Sequence, residues 1–115
     1  MDKDDVLQFL RNFKQAASSN RGVFIIPRQT TRQTLRDLGL TKRNLKDELL
    51  GLTLLDYSKG PESDRDRGGD IWIFGKKVAG HEIYIKLKIF RLDGEYCAKC
   101  ISFHVAEYSL SYPFK

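Results

Sequence analysis

Residues 81–90 alternate strictly between apolar and polar side chains, and this pattern constrains the fold more than any other stretch of the chain. Because successive side chains of a β-strand point to opposite faces of a sheet, the pattern predicts a strand with one buried face and one open face. Ile83, Ile85, Leu87 and Ile89 form the buried face, and Glu82, Tyr84, Lys86 and Lys88 form the open face. Ammonium groups and a phenol on one face suit a polyanion such as RNA, although a half-exposed strand that is simply solvated has the same pattern.

The other hydrophobic patterns predict an α+β fold in which N-terminal helices pack on a small antiparallel sheet, within one domain spanning residues 1–115. Apolar residues at helical spacing indicate a first helix over residues 4–17. Two short helices, each ended by a glycine, are expected to follow, the first capped by Thr30 or Thr31 and the second by Thr41. Strands are predicted over residues 23–26, 70–74, 81–90 and 95–104.

The turn before the last strand decides which side chains face each other across the sheet. Burying the apolar residues of both strands on one face requires odd positions to oppose odd positions. A three-residue loop with Gly94 in the left-handed conformation gives this register. It places Ser102 near Tyr84 and His104 near Glu82, so the open face is expected to combine proton-transfer and phosphate-binding side chains from both strands.

The charge balance favours an acidic partner, since 20 lysines and arginines outnumber 15 aspartates and glutamates and leave a net charge of +5. No apolar run is long enough for a membrane-spanning helix, and the charged N-terminus does not resemble a secretory signal. The charge alone leaves RNA, DNA, an anionic membrane and an acidic protein open as partners. Without a spanning segment or a secretory signal, we expect a cytoplasmic protein, and among these partners we do not predict a membrane. The segment 55–69 combines glycines, a proline and alternating charges, and it is expected to be mobile.

Six basic residues accompany the two short helices: Arg28, Arg32, Arg36, Lys42, Arg43 and Lys46. Most of these side chains are expected to be solvated charges. A helix-turn-helix that reads a DNA groove is an alternative, because two short basic helices can form one. The connection at residues 38–41 equally fits an ordinary turn between helices.

The only two cysteines, Cys97 and Cys100, lie three residues apart in a predicted strand, so their side chains are expected to point to opposite faces. This geometry argues against a redox pair and against half of a zinc site. The chain has no second cysteine pair or clustered histidines to complete a zinc site. We therefore expect two free thiols and no metal or other cofactor.

Six short segments, in this order and spacing, resemble the MqsR family of bacterial type II toxins. They are Leu38-Gly39-Leu40, Leu50-Gly51-Leu52-Thr53, Asp56-Tyr57-Ser58-Lys59, Ile71-Trp72, Tyr84-Ile85-Lys86 and Ile101-Ser102-Phe103. The resemblance runs from about Leu38 to His104, and the first helix matches only in kind. It implies an antiparallel sheet packed by N-terminal helices, similar to RelE-type toxins.

The resemblance also implies an mRNA interferase, a toxin that cuts single-stranded mRNA without a metal and is inhibited by a cognate antitoxin protein. The functional lysine and tyrosine of the family look like Lys59 and Tyr84. Two positions depart from the family pattern, because Ile73 stands where a glutamine is expected and His104 stands where a lysine is expected. The first departure removes a hydrogen-bonding group. The second replaces a fixed cation with a side chain that titrates near neutral pH.

We therefore expect a ribosome-independent endoribonuclease in which the 2′-hydroxyl of the RNA attacks the adjacent phosphate. This reaction needs a base, an acid for the leaving 5′-oxygen and positive charge around the phosphorane. His104 is predicted to transfer a proton, Tyr84 to orient the phosphate or stack a base, and Lys59 and Lys86 to stabilise charge. The predicted RNA contacts are Arg67, Trp72, Lys88 and Ser102.

Several alternatives use the same residues differently. His104 also fits a surface histidine at a strand end, and Trp72 also fits a core residue. A non-catalytic RNA- or DNA-binding regulator would use the basic face without needing His104, and a protein-interaction module would use it to meet an acidic partner. Cleavage of a purified transcript distinguishes the nuclease, and salt-sensitive binding without cleavage distinguishes the regulator.

Overall fold

The computed structural model describes all 115 residues, Met1 to Lys115, and contains three α-helices and a five-stranded sheet. The helices are α1 (Lys3–Ala17), α2 (Gln29–Leu38) and α3 (Lys42–Leu50). The strands are β1 (Val23–Ile25), β2 (Tyr57–Ser63), β3 (Asp70–Val78), β4 (His81–Leu92) and β5 (Glu95–Val105). No helix combines the length and the apolar character needed to cross a membrane. The predicted α+β class, with N-terminal helices packed on the sheet, is confirmed.

Helix α1 covers the buried face of the sheet. Asp2 caps the helix by accepting a hydrogen bond from the Asp5 amide at 2.9 Å. The ring of Phe9 stacks on Trp72 with centroids 4.6 Å apart and lies 5.9 Å from the ring of Phe74. The surrounding core includes Val6, Leu10, Phe13, Leu45, Leu49, Ile83, Ile85, Leu87 and Phe103. Removing these side chains from water is the main force that holds the helices on the sheet.

The strand order is β1-β5-β4-β3-β2, and all neighbouring pairs are antiparallel except β1 with β5. The parallel edge strand β1 places Val23 beside Ala98 and leads the chain directly into α2. Thr31 does not cap that helix, because its Oγ1 accepts a hydrogen bond from the Phe103 amide at 3.3 Å. Arg28 occupies the N-cap position without a side-chain cap, so the predicted threonine cap is wrong.

The segment that was expected to be mobile contains the edge strand β2. This strand pairs with β3 from Tyr57 opposite Phe74 to Ser63 opposite Asp70, with two register shifts along it. A glycine and a proline make this sequence unlike a central strand, but an edge strand tolerates proline because one side of its backbone has no partner. Residues 57–63 therefore form a strand rather than a loop, whereas residues 64–69 form the connection to β3, and the expected mobility stays a prediction.

The turn between β4 and β5 has two residues, Asp93 and Gly94, whose φ angles are 52° and 79°. Two successive positive φ angles are the pattern of a type I′ turn, which pairs Leu92 with Glu95. The left-handed conformation of Gly94 is confirmed. The three-residue loop is wrong.

A β-bulge at Ile101 changes the register a second time. Lys86 pairs with Ser102, whereas Ile101 has no partner on β4. Between the turn and the bulge, odd positions oppose even positions. From Lys86 and Ser102 onward, odd positions oppose odd positions as predicted, but the pairing is displaced by two residues from the predicted one. Tyr84 therefore lies opposite His104 rather than opposite Ser102.

The C-terminal segment, residues 106–115, crosses one end of the open face. It passes over Gly75, which has no side chain to obstruct the Leu110 side chain and the Tyr112 hydroxyl. Tyr112 Oη donates a hydrogen bond to Glu82 Oε2 at 2.7 Å. Phe114 stacks against the ring of a core tyrosine, with centroids 5.5 Å apart. The segment thus forms a wall beside the open face of β4.

Candidate active site

A cleft of about 450 Å³ lies on the open face of β4 and β5, in the size range of small-molecule sites. We call it the Tyr84 cleft. Its lining comprises Arg28, Lys59, Tyr84, Lys86, Ser102 and His104, together with residues 106–110 of the C-terminal segment. The structure therefore brings together the four predicted catalytic side chains and one predicted RNA contact, although they come from three strands.

Tyr84 and His104 form the centre of this cleft. Their rings stack with centroids 5.1 Å apart and planes inclined by 20°. The Nδ1 atom of His104 lies 2.9 Å from the carbonyl oxygen of Val105, and since a carbonyl only accepts hydrogen bonds, Nδ1 carries a hydrogen. In the neutral imidazole, the lone pair is therefore on Nε2. This atom can accept a proton from a bound ligand.

The phenol of Tyr84 is a proton donor in this environment. Partial burial raises the pKa of Tyr84 above its usual value, the charge of Glu62 raises it further, and Arg28 opposes these effects. The hydroxyl is thus protonated at neutral pH. Tyr84 can donate a hydrogen bond to a phosphate oxygen, which agrees with an orienting role better than with a general base.

Two lysines flank the floor of the cleft. Lys59 of β2 and Lys86 of β4 both pair with Ile73 of the strand between them, so all three side chains lie on one face. Lys59 Nζ lies 3.5 Å from Glu62 Oε2, but this pair is largely exposed and contributes no more than about 1 kcal/mol. Ile73 is fully buried between the lysines.

Arg28 joins the site although its sequence position did not predict it. Its Nη1 donates a hydrogen bond to Ser102 Oγ at 3.3 Å, and Ser102 lies opposite Lys86. The parallel pairing of β1 with β5 carries Arg28 to this position. No local pattern indicates that pairing, and the sequence alone therefore predicts a solvated charge at Arg28.

The C-terminal segment supplies further side chains that sequence reasoning missed. Glu107 and Tyr108 line the cleft, and the ring of Tyr108 is 83% exposed. An exposed aromatic ring beside cations is a suitable surface for stacking a base. The only signal for Tyr108 in the sequence is an aromatic residue four positions after His104.

Lys88 does not lie where an RNA contact was expected. It is 3% exposed, and its Nζ donates hydrogen bonds to Asp64 Oδ2 at 2.7 Å and to the Gly68 carbonyl oxygen. The hydrogen bond from Lys88 is the main reason that the pKa of Asp64 is lowered. Its ammonium group is therefore bound by Asp64 and Gly68 inside the protein. The prediction that Lys88 is exposed to RNA on the open face is corrected.

Trp72 also lies away from the predicted RNA surface. It is 9% exposed and packs under α1, on the opposite face of the sheet from Tyr84. The core alternative therefore describes its position, and Trp72 does not lie on the predicted RNA surface. Arg67 lies in a second cleft that adjoins the first and shares Arg28 and Lys86 with it.

The remaining candidate groups do not assemble a further centre. Cys97 and Cys100 are free and buried, and burial raises the pKa of the Cys100 thiol to about 12. No three side chains of His, Cys, Asp or Glu lie together in an arrangement that could hold a metal ion. Compared with protein-family models, with curated proteins and with solved structures, the chain matches none of them.

Proposed function

We propose that this chain is a metal-independent, ribosome-independent endoribonuclease that cleaves single-stranded RNA in the Tyr84 cleft. The observation that carries the proposal is the contact between Tyr84 and His104, which leaves Nε2 of the imidazole free beside several cations. A proton-transfer group, a hydroxyl donor and fixed positive charge are the requirements for cleavage by an internal nucleophile.

In the proposed reaction, neutral His104 accepts the proton of the RNA 2′-hydroxyl through Nε2. The 2′-oxygen forms a bond to the adjacent phosphorus, and the bond from phosphorus to the 5′-oxygen breaks. Tyr84, whose raised pKa keeps it protonated, donates a hydrogen bond on the phosphate or leaving-group side. A water molecule protonates the leaving 5′-oxygen, and the resulting hydroxide takes back the proton held by His104. The products are a 2′,3′-cyclic phosphate and a 5′-hydroxyl end.

The cations of the cleft stabilise the additional negative charge of the phosphorane. Lys59 and Lys86 flank the floor, and Arg28 approaches from the opposite side through Ser102. A guanidinium can bind two phosphate oxygens at once, whereas an ammonium acts as a point charge. Tyr108 provides an exposed ring for a neighbouring base.

The resemblance to MqsR toxins gives this activity a proposed biological setting. Lys59 and Tyr84, the two positions that match functional residues of that family, line the same cleft. We therefore propose that the chain is the toxin of a type II toxin-antitoxin system, that its substrate is mRNA and that a cognate antitoxin inhibits it. Growth arrest on expression of the wild type, relieved by soluble Tyr84→Ala protein, is the expected result in cells. Normal growth with well-folded wild type would contradict the toxin assignment.

The chemical proposal is tested with a purified single-stranded RNA in the presence of a chelator. We expect cleavage that leaves a 2′,3′-cyclic phosphate, and no cleavage of a matched RNA with one 2′-deoxy nucleotide at the cut position. The deoxy substrate keeps the phosphates and bases, so only the nucleophile is missing. Cleavage of the deoxy substrate, or loss of activity in chelator that a divalent ion restores, would refute this mechanism.

A non-catalytic RNA-binding regulator is the second candidate. The regulator is favoured by the observation that basic side chains extend from the Tyr84 cleft into the adjoining cleft around Arg67. Binding of RNA phosphates requires basic side chains but no proton-transfer group. Salt-sensitive binding of the intact RNA without any product would support this candidate and exclude the nuclease.

A further inference from the structure

A second cleft, of about 480 Å³, adjoins the Tyr84 cleft and is rich in positive charge. We call it the Arg67 cleft. Its basic lining comprises Arg28, Arg65, Arg67, Lys86 and Lys99, above a floor of three isoleucines. Because Arg28 and Lys86 line both clefts, a ligand bound at Tyr84 can continue into the Arg67 cleft without leaving the protein surface.

The wall of the Arg67 cleft is a turn with a fixed shape. Asp64 Oδ1 accepts hydrogen bonds from the amides of Asp66 and Arg67 at 3.1 and 3.2 Å. Its Oδ2 accepts one from Lys88 Nζ at 2.7 Å, and Lys88 also holds the Gly68 carbonyl oxygen. The buried lysine thus ties both ends of the turn to β4 and holds Arg65 and Arg67 at the cleft.

The cations of this cleft have no carboxylate partners. None of the five basic side chains forms an ion pair, since the five ion pairs of the protein involve other lysines and arginines. Of the two acidic side chains in the lining, Asp64 is already paired with Lys88, which leaves only Asp66. Burial, with the nearby charges of Lys88 and Arg67, lowers the pKa of Lys99. Crowded positive charge without a carboxylate partner favours the binding of an anion.

We propose that the Arg67 cleft binds a second phosphate of the RNA, beside the phosphate that is cut, and that Lys88 is the positioning residue for this subsite. The proposal rests on the proposed function, because the scissile phosphate occupies the Tyr84 cleft. It specifies the substrate class further. The enzyme should favour an extended single-stranded oligonucleotide over a dinucleotide, because a dinucleotide with one internucleotide linkage carries only the phosphate that is cut and has no second phosphate for the Arg67 cleft.

The test compares Arg67→Ala and Lys99→Ala with the wild type on two substrates, the minimal dinucleotide and a longer single strand with the same cut. Each variant should raise KM for the longer substrate by roughly 10-fold, the loss of one charge-assisted contact, with little change in kcat. Neither should alter the kinetics of the dinucleotide. Arg67→Lys should restore part of the affinity. Arg32→Ala, an exposed arginine of α2 outside both clefts, is the matched control.

The positioning role is tested with Lys88→Met and, in case that variant does not fold, with Asp64→Asn. Either substitution should raise KM for the longer substrate and leave the dinucleotide unaffected, whereas a general loss of structure would reduce activity on both. For variants that remain folded, equal effects on both substrates, or no effect on the longer one, would overturn the subsite. Cleavage by the wild type would still support the nuclease.

Absence of cleavage by the wild type would refute the proposed function but still leaves the subsite testable. Binding of a 2′-deoxy single strand is then measured by fluorescence anisotropy over a range of salt concentrations. Loss of Arg67 or Lys99 should weaken binding and reduce the salt slope by roughly 0.7 for each phosphate contact. Unchanged affinity and slope in both variants would overturn the second phosphate site.

Discussion

Tyr84 and His104 are cross-strand partners whose rings stack with centroids 5.1 Å apart. Each ring limits the orientation of the other, and the hydrogen bond from His104 to the Val105 carbonyl fixes the imidazole further. A bound phosphate in this cleft would therefore meet a preorganised hydroxyl donor and a preorganised ring nitrogen. Preorganised polar groups are effective in catalysis because they need little rearrangement during the reaction.

The Tyr84→Phe variant tests the hydroxyl donor while keeping the ring that stacks on His104. We expect single-turnover cleavage to slow by roughly 10²–10³-fold, the usual cost of one lost donor to a developing oxyanion. Thermal melting should change little because the aromatic packing remains. Tyr96→Phe, at an exposed tyrosine outside the cleft, is the control.

The pH profile of the same variant tests the protonation state of Tyr84. Since burial raises the pKa of Tyr84 above the usual 10.0, the phenol stays protonated through neutral and moderately alkaline pH. The wild type and Tyr84→Phe should therefore have parallel rate profiles below about pH 10. An alkaline rise in the wild-type rate that is absent from the variant would identify Tyr84 as a base and contradict the donor role.

The alternation in β4 was sufficient to predict which of its residues share the open face, but not which residues of β5 oppose them. That register depends on the two-residue turn at Asp93 and Gly94 and on the bulge at Ile101. The Asp-Gly pair is a strong local signal for a type I′ turn, and a uniform odd-to-odd pairing did not take it into account. The bulge has a weaker signal in the sequence, the two adjacent apolar residues Cys100 and Ile101 that interrupt the alternation.

Other parts of the site depend on contacts between distant segments. Arg28 reaches the cleft only because β1 pairs with β5, and Lys88 is withdrawn from the surface only because Asp64 folds over it. Neither contact follows from the spacing of residues in the sequence. The strand pattern predicted Lys88 correctly on the open face, but an open face of a sheet can be covered by a turn of the same chain.

Lys88→Met should make the stability of the protein depend less on pH in the acidic range. Because Lys88 lowers the pKa of Asp64, the contribution of this ion pair is present above the ordinary aspartate pKa of 3.8. It is lost as the pH falls through the lowered pKa of the folded state. We therefore expect the wild type to melt at a higher temperature than the variant at neutral pH.

The measurement is thermal melting of both proteins between neutral and strongly acidic pH. The difference between their melting temperatures should become smaller as the pH falls below the ordinary aspartate pKa of 3.8. Lys77→Met, at an exposed lysine of β3 without an ion pair, is the control for the loss of a lysine charge. A difference that is constant with pH would show that packing, not the ion pair, accounts for the effect of Lys88.

Gly75→Ala should displace the C-terminal segment from the sheet. A β-carbon at this position would overlap the Leu110 side chain and would lie 2.6 Å from the Tyr112 hydroxyl oxygen. Such overpacking typically costs about 1–3 kcal/mol, and the displaced segment would also disturb the wall of the Tyr84 cleft. We expect a lower free energy of unfolding together with slower cleavage.

Chemical denaturation and single-turnover cleavage measure the two effects of Gly75→Ala. Gly51→Ala provides the matched control, because Gly51 has an ordinary negative φ of −86° and its nearest atoms are at van der Waals distance. This control should retain both stability and activity. A free energy of unfolding for Gly75→Ala equal to that of the wild type would contradict the close packing of the C-terminal segment on β3.

The last prediction separates proton transfer from phosphate binding within the Tyr84 cleft. Lys86 acts through its charge, so Lys86→Ala should weaken RNA binding and reduce the salt slope by roughly 0.7 for the lost phosphate contact. Ile85, the neighbouring residue on the buried face, is fully buried. Ile85→Ala should therefore cost about 2–5 kcal/mol of stability through a core cavity, which calibrates how strongly unfolding alone affects the assays.

His104→Ala should behave differently from both of these variants. If Nε2 of His104 transfers the proton of the 2′-hydroxyl, its removal should slow single-turnover cleavage by about 10²–10⁴-fold, the usual contribution of general acid–base catalysis. RNA affinity should change little, because a neutral imidazole neutralises no phosphate. His81→Ala is the matched control, since His81 is the only other histidine and lies outside the cleft at the exposed start of β4. Cleavage by His104→Ala at the wild-type rate would transfer the proton-transfer role to another group, of which Glu107, Tyr84 and Lys59 line the same cleft.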